Sequence, residues 1–521
     1  MNAAIFGAMV ATEVRMRSRR WSTIVTLLVL IALTWQMVPD PATGMTMVAI
    51  EDARVVYNSQ CLALGSSLLG SLMLSLAGFY LVRGRMQEDL RYGASAILAA
   101  TPVSNSTFVL GRWLGAVAYL CAMAAVFLMT MLVLHAVRGE GPIQLGVYLQ
   151  DFALVLLPMC FFTASMALLC ESWAPLMGKA GDVLYFILWA MQIGFSAGIS
   201  ESPEVVWSLP MLFDFSGTGS AMLAFEHIVH TTHLSIGVAD FNKSLPPFVI
   251  QSGFWSVTMM VNRVVCALFA LLPLLPAILL FHRFSPDRVK ISANNKRRSL
   301  LGFVNRLLRP LSGLARPLFS LAARFPNLTG QVVADLALTL TSNPIAILIG
   351  AAAVAIGSFA PHAVLGGALV AAVASWGLLI CDVSVRDFQA GTESMSGTIT
   401  GGHTQRYIRQ LLATLLLGLL FTAPIALRWL DGEPVRAAAL LTGLFALSAA
   451  ASLLGRSTRT ARTFLALFLF GIYLSTQVMA PALDVVGANG VATGTSVINQ
   501  MVAGILLCLA GFGYNRWRAA A

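Results

Sequence analysis

Runs of apolar residues long enough to cross a lipid bilayer recur along the whole chain, and they restrict its fold more than any other feature. A helix needs about 20 consecutive apolar residues to span the hydrocarbon core. Because lipid offers no hydrogen bonds to the backbone, such runs must form helices. Only 11% of the residues are charged, and the mean hydropathy is +0.80. These values predict an all-α polytopic membrane protein rather than a soluble one.

Twelve such runs divide into two groups of six. In the first half we predict membrane-spanning helices at 21–37, 61–82, 113–136, 149–170, 182–199 and 257–281. In the second half we predict them at 340–358, 363–381, 408–427, 435–454, 461–480 and 497–514. The result is a 6+6 duplicated domain. Its parts are a first six-helix domain (1–282, with a large extracytoplasmic loop at 200–256), a basic cytoplasmic interfacial linker (283–327) and a second six-helix domain (328–521).

The net charge of +10 follows from the predicted topology. With both termini in the cytoplasm, only six of the 33 Lys and Arg residues lie outside: Arg54, Arg138, Lys243, Arg263, Arg428 and Arg436. This distribution obeys the positive-inside rule. Basic residues beside a membrane meet anionic lipid headgroups, so lipids are the expected partners of these side chains and nucleic acid is not.

Each half opens with a modest amphipathic segment that contains one acid. Residues 5–19 carry Glu13, and residues 328–341 carry Asp335. We predict that both segments form elbow helices, which lie along the membrane surface before the first and seventh spans.

The linker combines arginines with leucines at helical spacing. This pattern is typical of short interfacial helices, and a partly disordered tether is the alternative. Pro310 and Pro317 are expected to limit any continuous helix there.

One short polar loop occurs at the same place in each half. Residues 89–93 read DLRYG, and residues 387–391 read DFQAG. Each loop lies between the second and third predicted spans of its half. The spacing alone has little value as a motif, but its position in a duplicated domain indicates two equivalent surfaces outside the bilayer.

The sequence lacks the common motifs for catalysis and nucleotide binding. It has no P-loop, no HExxH and no GxSxG, and none of its four lysines follows a phosphate-cradling glycine pattern. The seven cysteines lie in or at the ends of apolar runs without a CxxC, as expected of small core residues. We therefore predict that the chain is not an enzyme and binds no cofactor. Any energy from ATP must come from another chain.

The large outer loop contains one pattern with metal-binding residue types: Glu226, His227, His230 and His233. Histidines at i and i+3 share a helix face, but the one at i+6 is rotated about 120° away on an ideal helix. We therefore favour a polar loop helix or a pH-sensitive patch over a metal site.

From Gln87 the chain reads QEDLRYGASAILAATPVSNSTFVLGRWLGAV. This stretch resembles the segment between the second and third helices of ABC-transporter permeases of the drug-export type. The matching positions are Asp89, Gly93, Leu98, Thr101, Pro102, Val103, Ser104, Leu110, Gly111 and Arg112. DFSG at 214–217, LSIG at 234–237 and FHRFSPDR at 281–288 also look like larger bacterial members. The resemblance covers 1–290, whereas the second loop lacks the Thr-Pro-Val-Ser turn.

The resemblance implies a membrane-spanning permease subunit of an ATP-driven exporter. ATP and Mg²⁺ would then be held by separate ATP-binding subunits, two copies per complex. The cytoplasmic coupling helices would contact those subunits through Glu88, Asp89, Arg91, Tyr92, Gly93, Asp387 and Gly391. Helices two and five of each half would line the substrate path, where our candidates are Gln192, Phe195, Trp376, Tyr473 and Gln477. The expected substrate is a hydrophobic or amphipathic drug, lipid or peptide, and the expected location is the cytoplasmic (inner) membrane of a bacterium.

Two other classes of protein stay open. A twelve-helix secondary carrier also has a basic central loop, but it would normally carry a Gly-x-x-x-Asp-Arg-x-Gly-Arg-like loop and buried charges for ion coupling. A membrane scaffold or sensor would use the outer loop to bind a ligand or a metal.

Overall fold

A computed structural model describes residues 3–199, 206–229, 234–282, 307–393, 395, 402–477 and 480–520. The chain divides into two compact units, Met1–Leu300 and Leu301–Ala521. The division falls inside the predicted linker.

Helices make up most of unit 1. They are α1 (Ala3–Ser18), α2 (Trp21–Met37), α3 (Ser59–Val82), α4 (Arg85–Arg91), α5 (Ala94–Ala100), α6 (Asn105–Arg138), α7 (Leu145–Ser172), α8 (Lys179–Ile199), α9 (Leu209–Leu212), α10 (Thr218–Val229), α11 (Val257–Phe269) and α12 (Leu274–Leu280). Polar side chains fix where the long helices begin. Asn58 accepts a hydrogen bond from the Cys61 N–H (2.9 Å) before α3, and Ser104 accepts one from the Thr107 N–H (3.2 Å) before α6.

Helix α3 is the centre of unit 1, since nearly all of its residues are buried, and it packs chiefly on α7 and α6. Small residues permit this close approach. A methyl group added at Gly70 would overlap the Phe127 ring of α6, and one added at Gly78 would lie 2.6 Å from Leu120 Cδ2.

The structure is mostly helical, as an all-α polytopic protein should be, and unit 1 adds one small antiparallel sheet to its helices. Its strands are β1 (Met45–Ile50), β2 (Ala53–Arg54) and β3 (Leu234–Asp240), in the order β2-β1-β3. Strand β1 is too short to span a bilayer and rich in apolar residues. Its main partner lies far along the chain, with Thr46 opposite Ala239. A pairing of that separation leaves no local pattern in the sequence.

Within its described residues, unit 2 consists of helices and the turns that join them, without a strand. Its helices are α13 (Ser312–Arg324), α14 (Asn327–Ser342), α15 (Ile345–Phe359), α16 (His362–Ile380), α17 (Arg386–Gln389), α18 (Gly402–Gly432), α19 (Pro434–Thr458), α20 (Ala461–Gln477) and α21 (Gly494–Ala520). Helices α18, α19 and α21 pack together, and Tyr407 on α18 donates a hydrogen bond to the Cys508 carbonyl on α21 (3.2 Å).

Helix α13 occupies part of the predicted linker and packs along α14. Pro310 lies in the 3₁₀ turn that precedes it, as a helix-limiting proline should. Pro317 lies inside the helix, so the expectation that it would limit the helix was wrong.

Among the described residues, eight helices are long and apolar enough to span a membrane, and up to ten if each of two bent pairs forms one span. The bends are 70° between α1 and α2 and 105° between α14 and α15. Apolar side chains such as Leu279 (79% exposed) and Phe359 (88% exposed) lie on the outside of these helices, where lipid would cover them. The predicted span 340–358 is broken at Asn343 and Pro344. Helices α8 and α20 lie at the predicted spans 182–199 and 461–480, but they are not among the eight helices that are long and apolar enough to span a membrane.

Candidate functional site

Each predicted loop contains a glycine in the left-handed region of backbone conformation. Gly93, between α4 and α5, has a φ of +75°, and Gly391, after α17, has a φ of +72°. A Cβ at either position would meet nothing within 4 Å. Glycine is therefore favoured by the backbone conformation of the turn and not by a lack of space for a side chain.

The acid of the first loop is buried in an ion-pair network. Asp89 is 4% exposed, and its carboxylate accepts a hydrogen bond from Arg112 on α6. Arg85 Nη2 lies 3.6 Å from the other carboxylate oxygen of Asp89. Glu13 on the elbow helix α1 lies 3.7 Å from Arg112 Nε and 3.1 Å from Arg17 Nη1. The network therefore joins the loop to the elbow and to the next long helix.

Glu88 extends this network towards the surface. Its carboxylate lies 2.5 Å from Arg20 Nη2 and 3.1 Å from Arg85 Nη1, and its side chain is 37% exposed. We call the whole group the first polar cluster: Glu13, Arg17, Arg20, Arg85, Glu88, Asp89 and Arg112.

The beginning of α4 is also held by residues at the ends of α3, α7 and α8. Glu171, at the end of α7, accepts hydrogen bonds from the backbone N–H groups of Gly84 and Met86. A carboxylate at a helix N-terminus satisfies unpaired donors and opposes the helix dipole. Arg83 forms a buried ion pair with Asp182 on α8. The loop is therefore fixed to α7 and α8 as well.

The second loop has the same kind of network in unit 2. Asp387 lies 3.7 Å from Arg406 Nη1 and 3.9 Å from Arg409 Nη2, both near the start of α18. Arg409 Nε lies 2.7 Å from Asp335 on the elbow helix α14. We call this group, with Glu393 and Arg518, the second polar cluster: Asp335, Asp387, Glu393, Arg406, Arg409 and Arg518.

Glu393 connects the second cluster to the last helix. Its carboxylate lies 2.9 Å from Arg518 Nη1 on α21 and 3.6 Å from Arg406 Nη2. Burial alone would raise the pKa of Glu393, but the positive charges of Arg518 and Arg406 outweigh it and lower that pKa below its ordinary value.

The two clusters share one arrangement: an elbow acid and a loop acid meet an arginine at the beginning of the third long helix. In unit 1 these are Glu13, Asp89 and Arg112. In unit 2 they are Asp335, Asp387 and Arg409. An arginine at the beginning of the third apolar segment of each half is the sequence signal for these contacts. Of the two arginines, only Arg112 was named from the sequence, as a position in the resemblance.

The predicted coupling residues differ in their exposure to solvent. Asp89 is buried, Glu88 and Asp387 are partly buried, and Gly93 and Gly391 are exposed. The side chain of Arg91 lies outside the described part of the structure. Tyr92 is 71% exposed and Ile97 on α5 is 72% exposed. The first loop and α5 therefore expose an aromatic and an aliphatic side chain, while Asp89 faces inwards.

The predicted substrate-path residues are spread over different environments. Trp376 is fully buried inside unit 2, where its indole N–H donates to the Thr414 carbonyl (2.9 Å). Gln192 donates to the Phe213 carbonyl (3.2 Å). Tyr473 is partly buried and Gln477 is exposed, and the Phe195 side chain lies outside the described part of the structure.

The metal pattern of the outer loop is described only in part. Glu226 is partly buried on α10. The His227 side chain and residues His230 and His233 lie outside the described part of the structure. In the portion that the structure does describe, no three His, Cys, Asp or Glu residues are grouped to hold a metal ion.

Another buried ion pair joins α11 to the segment between α8 and α11, which we call the outer segment after its predicted location. Arg263 on α11 and Asp214 before α10 have fully buried side chains, with 3.6 Å between Nη1 and Oδ2. Asp214 also accepts hydrogen bonds from the N–H groups of Gly217 (3.0 Å) and Ser220 (2.8 Å). The partners described for Asp214 all lie within unit 1, so the pair links parts of one unit.

The helices and their exposed apolar faces define a multi-pass helical membrane protein. Comparison of the chain with protein family models, with curated proteins and with solved structures returned no match. Inference about function therefore rests on the residues and contacts of the chain itself.

Proposed function

We propose that this chain is the membrane-spanning permease subunit of an ATP-driven ABC exporter, built from two six-helix halves. The observation that carries the proposal is the repeated arrangement of Asp89 with Arg112 and of Asp387 with Arg409, because it gives each unit an equivalently braced loop. The resemblance of the segment that begins at Gln87 supports the same function.

The contacts suggest how such a loop would transmit movement. The exposed face of the first loop, with Tyr92 and Ile97, is the surface for an ATP-binding subunit, which holds ATP and Mg²⁺. The first polar cluster ties the loop to α1 and α6. A displacement of the loop is therefore passed to an elbow helix and to a long helix together, because buried ion pairs resist separation.

Two ATP-binding subunits, one at each loop, would drive alternating access in this mechanism. The substrate would be a hydrophobic or amphipathic drug, lipid or peptide, and the cytoplasmic membrane of a bacterium would be the location. Of the candidates for the path whose side chains the structure describes, Gln192, Tyr473 and Gln477 are not buried in the core of a unit.

Co-purification tests the proposal. Tagged protein is extracted from its native membrane in mild detergent, and recovered proteins are identified by mass spectrometry with an ATPase assay. The test variant is Tyr92→Ala combined with Ile97→Ala, which leaves the polar cluster intact. The control is Trp207→Ala, which removes a 49%-exposed aromatic side chain from the outer segment.

We expect a P-loop ATPase with the wild type and the control, and its loss with the double variant. Absence of any ATPase from the wild-type sample would contradict the proposal. Proton-dependent uptake would then be the test of a secondary carrier.

A further inference from the structure

A cleft in unit 2 carries more positive charge than its acids balance. Its charged lining residues are Asp387, Glu393, Arg406, Arg456, Arg459 and Arg518. Four guanidinium groups thus face two carboxylates. Both carboxylates are already engaged: Glu393 with Arg518 and Arg406, and Asp387 with Arg406.

Arg456 and Arg459, at the end of α19, contact neutral groups. Arg456 is only 6% exposed and donates to the Asn515 side-chain oxygen (2.6 Å) and the Gln410 side-chain oxygen (3.3 Å). Arg459 lies over the ring of Phe388, with its guanidinium carbon 4.9 Å from the ring centre. Within the described residues, no carboxylate is within ion-pair distance of either arginine. A buried arginine such as Arg456 is costly without an ion-paired carboxylate, so an anion in the cleft would stabilise this arrangement.

We propose that this cleft binds a phosphate group. The guanidinium is planar and matches two phosphate oxygens at once, which makes arginine the preferred residue for phosphate recognition. Arg406 and Arg518 are fixed by Glu393, while Arg459 is held by stacking, so the donors are arranged before a ligand arrives. The phosphate belongs either to an anionic lipid headgroup or to a small free phosphate.

The test uses the intact protein purified in neutral detergent. One arm titrates inorganic phosphate against chloride at constant ionic strength. The other arm titrates phosphatidylglycerol against phosphatidylcholine in mixed micelles. Both arms measure the dissociation constant by calorimetry and the unfolding temperature. The test variant is Arg459→Gln, because Arg459 is exposed and makes no buried hydrogen bond among the described contacts.

The control is Arg516→Gln, which removes an equal charge from the same end of α21 but from a residue that does not line the cleft. We expect Arg459→Gln to weaken binding by about tenfold, and Arg516→Gln to leave it unchanged. Weakening in the lipid arm alone assigns the phosphate to a headgroup, and weakening in the phosphate arm alone assigns it to a small free phosphate.

Failure of both probes to bind would overturn the proposal, as would equal losses in the two variants. The phosphate proposal does not rest on the permease function. Co-purification of an ATPase and phosphate binding are measured independently, so one proposal can fail while the other holds.

Discussion

Arg112 and Asp89 form an ion pair in which each side chain is only 4% exposed, although they lie 23 residues apart on different helices. Arg409 and Asp387 occupy the corresponding positions in unit 2. Both side chains are more exposed there, and Arg409 Nη2 lies 3.9 Å from Asp387 Oδ2. The acids of the two repeated loops therefore form ion pairs within their own units. Under the proposed function, contact with an ATP-binding subunit falls to the exposed residues beside them.

Replacing Asp89 by Asn should destabilise the protein strongly. The substitution leaves the buried Arg112 guanidinium without its principal counter-charge, and breaking a buried ion pair on one side costs about 3–5 kcal/mol. Unfolding of the purified protein in detergent measures the loss. The double variant Asp89→Leu with Arg112→Met should recover part of it, because no uncompensated charge remains.

Glu88 provides the matched control for Asp89. It is the adjacent acid on α4, but its side chain is 37% exposed. Exposed ion pairs contribute only about 0–1 kcal/mol, so Glu88→Gln should change stability little. Equal losses for Asp89→Asn and Glu88→Gln would contradict the buried network.

Gly93→Ala should destabilise the protein by roughly 1–2 kcal/mol, because an L-residue is strained at a φ of +75°. The open space around this position excludes a steric clash as the cause. Gly146→Ala is the control, since it lies within α7 and also has nothing within 4 Å, so it should be neutral or slightly stabilising. Unfolding midpoints of the two variants give the comparison, and a neutral Gly93→Ala would argue against the left-handed turn.

The apolar runs and the loop glycines were predictable from the sequence because their causes are local. Long apolar runs must be helical in lipid, and Gly93 and Gly391 follow short polar helices in equivalent positions. The helices found between 59 and 172 agree with the predicted second, third and fourth spans, with longer ends. The count of twelve spans stays a prediction.

The contacts that hold the candidate site were less accessible to sequence reasoning. Glu13 meets Arg112 across 99 residues of chain, and Glu171 caps α4 from a helix that follows it. Such contacts depend on how helices pack, and helix packing is not encoded in a short motif. Strand β1 was missed because its pairing is also long-range, with Thr46 opposite Ala239 of β3.

Arg263→Met should destabilise unit 1 by about 3 kcal/mol, the lower end expected for a broken buried pair. Asp214 would lose its positive partner but would keep its hydrogen bonds from Gly217 and Ser220. Lys243→Met is the control, because the exposed Lys243 donates to the Ala42 carbonyl alone among the described residues, and its loss should change little. Protease susceptibility of the outer segment, measured with the unfolding midpoint, should increase for Arg263→Met alone.

Stability should fall at acidic pH through Glu393, whose pKa is lowered mainly by Arg518 and Arg406 against the opposing effect of burial. In the unfolded chain a glutamate has a pKa of about 4.3. The contribution of Glu393 is therefore fully present above that pH, and it is lost as the pH falls below about 4.3 through the lower pKa of the folded state. Solvent screening keeps the contribution below about 1 kcal/mol. Unfolding midpoints of the wild type and of Glu393→Gln, measured at pH 7 and at about pH 3.5, should differ at neutral pH and converge in acid. A difference that persists unchanged in acid would show that the Glu393 charge has no role in the second polar cluster.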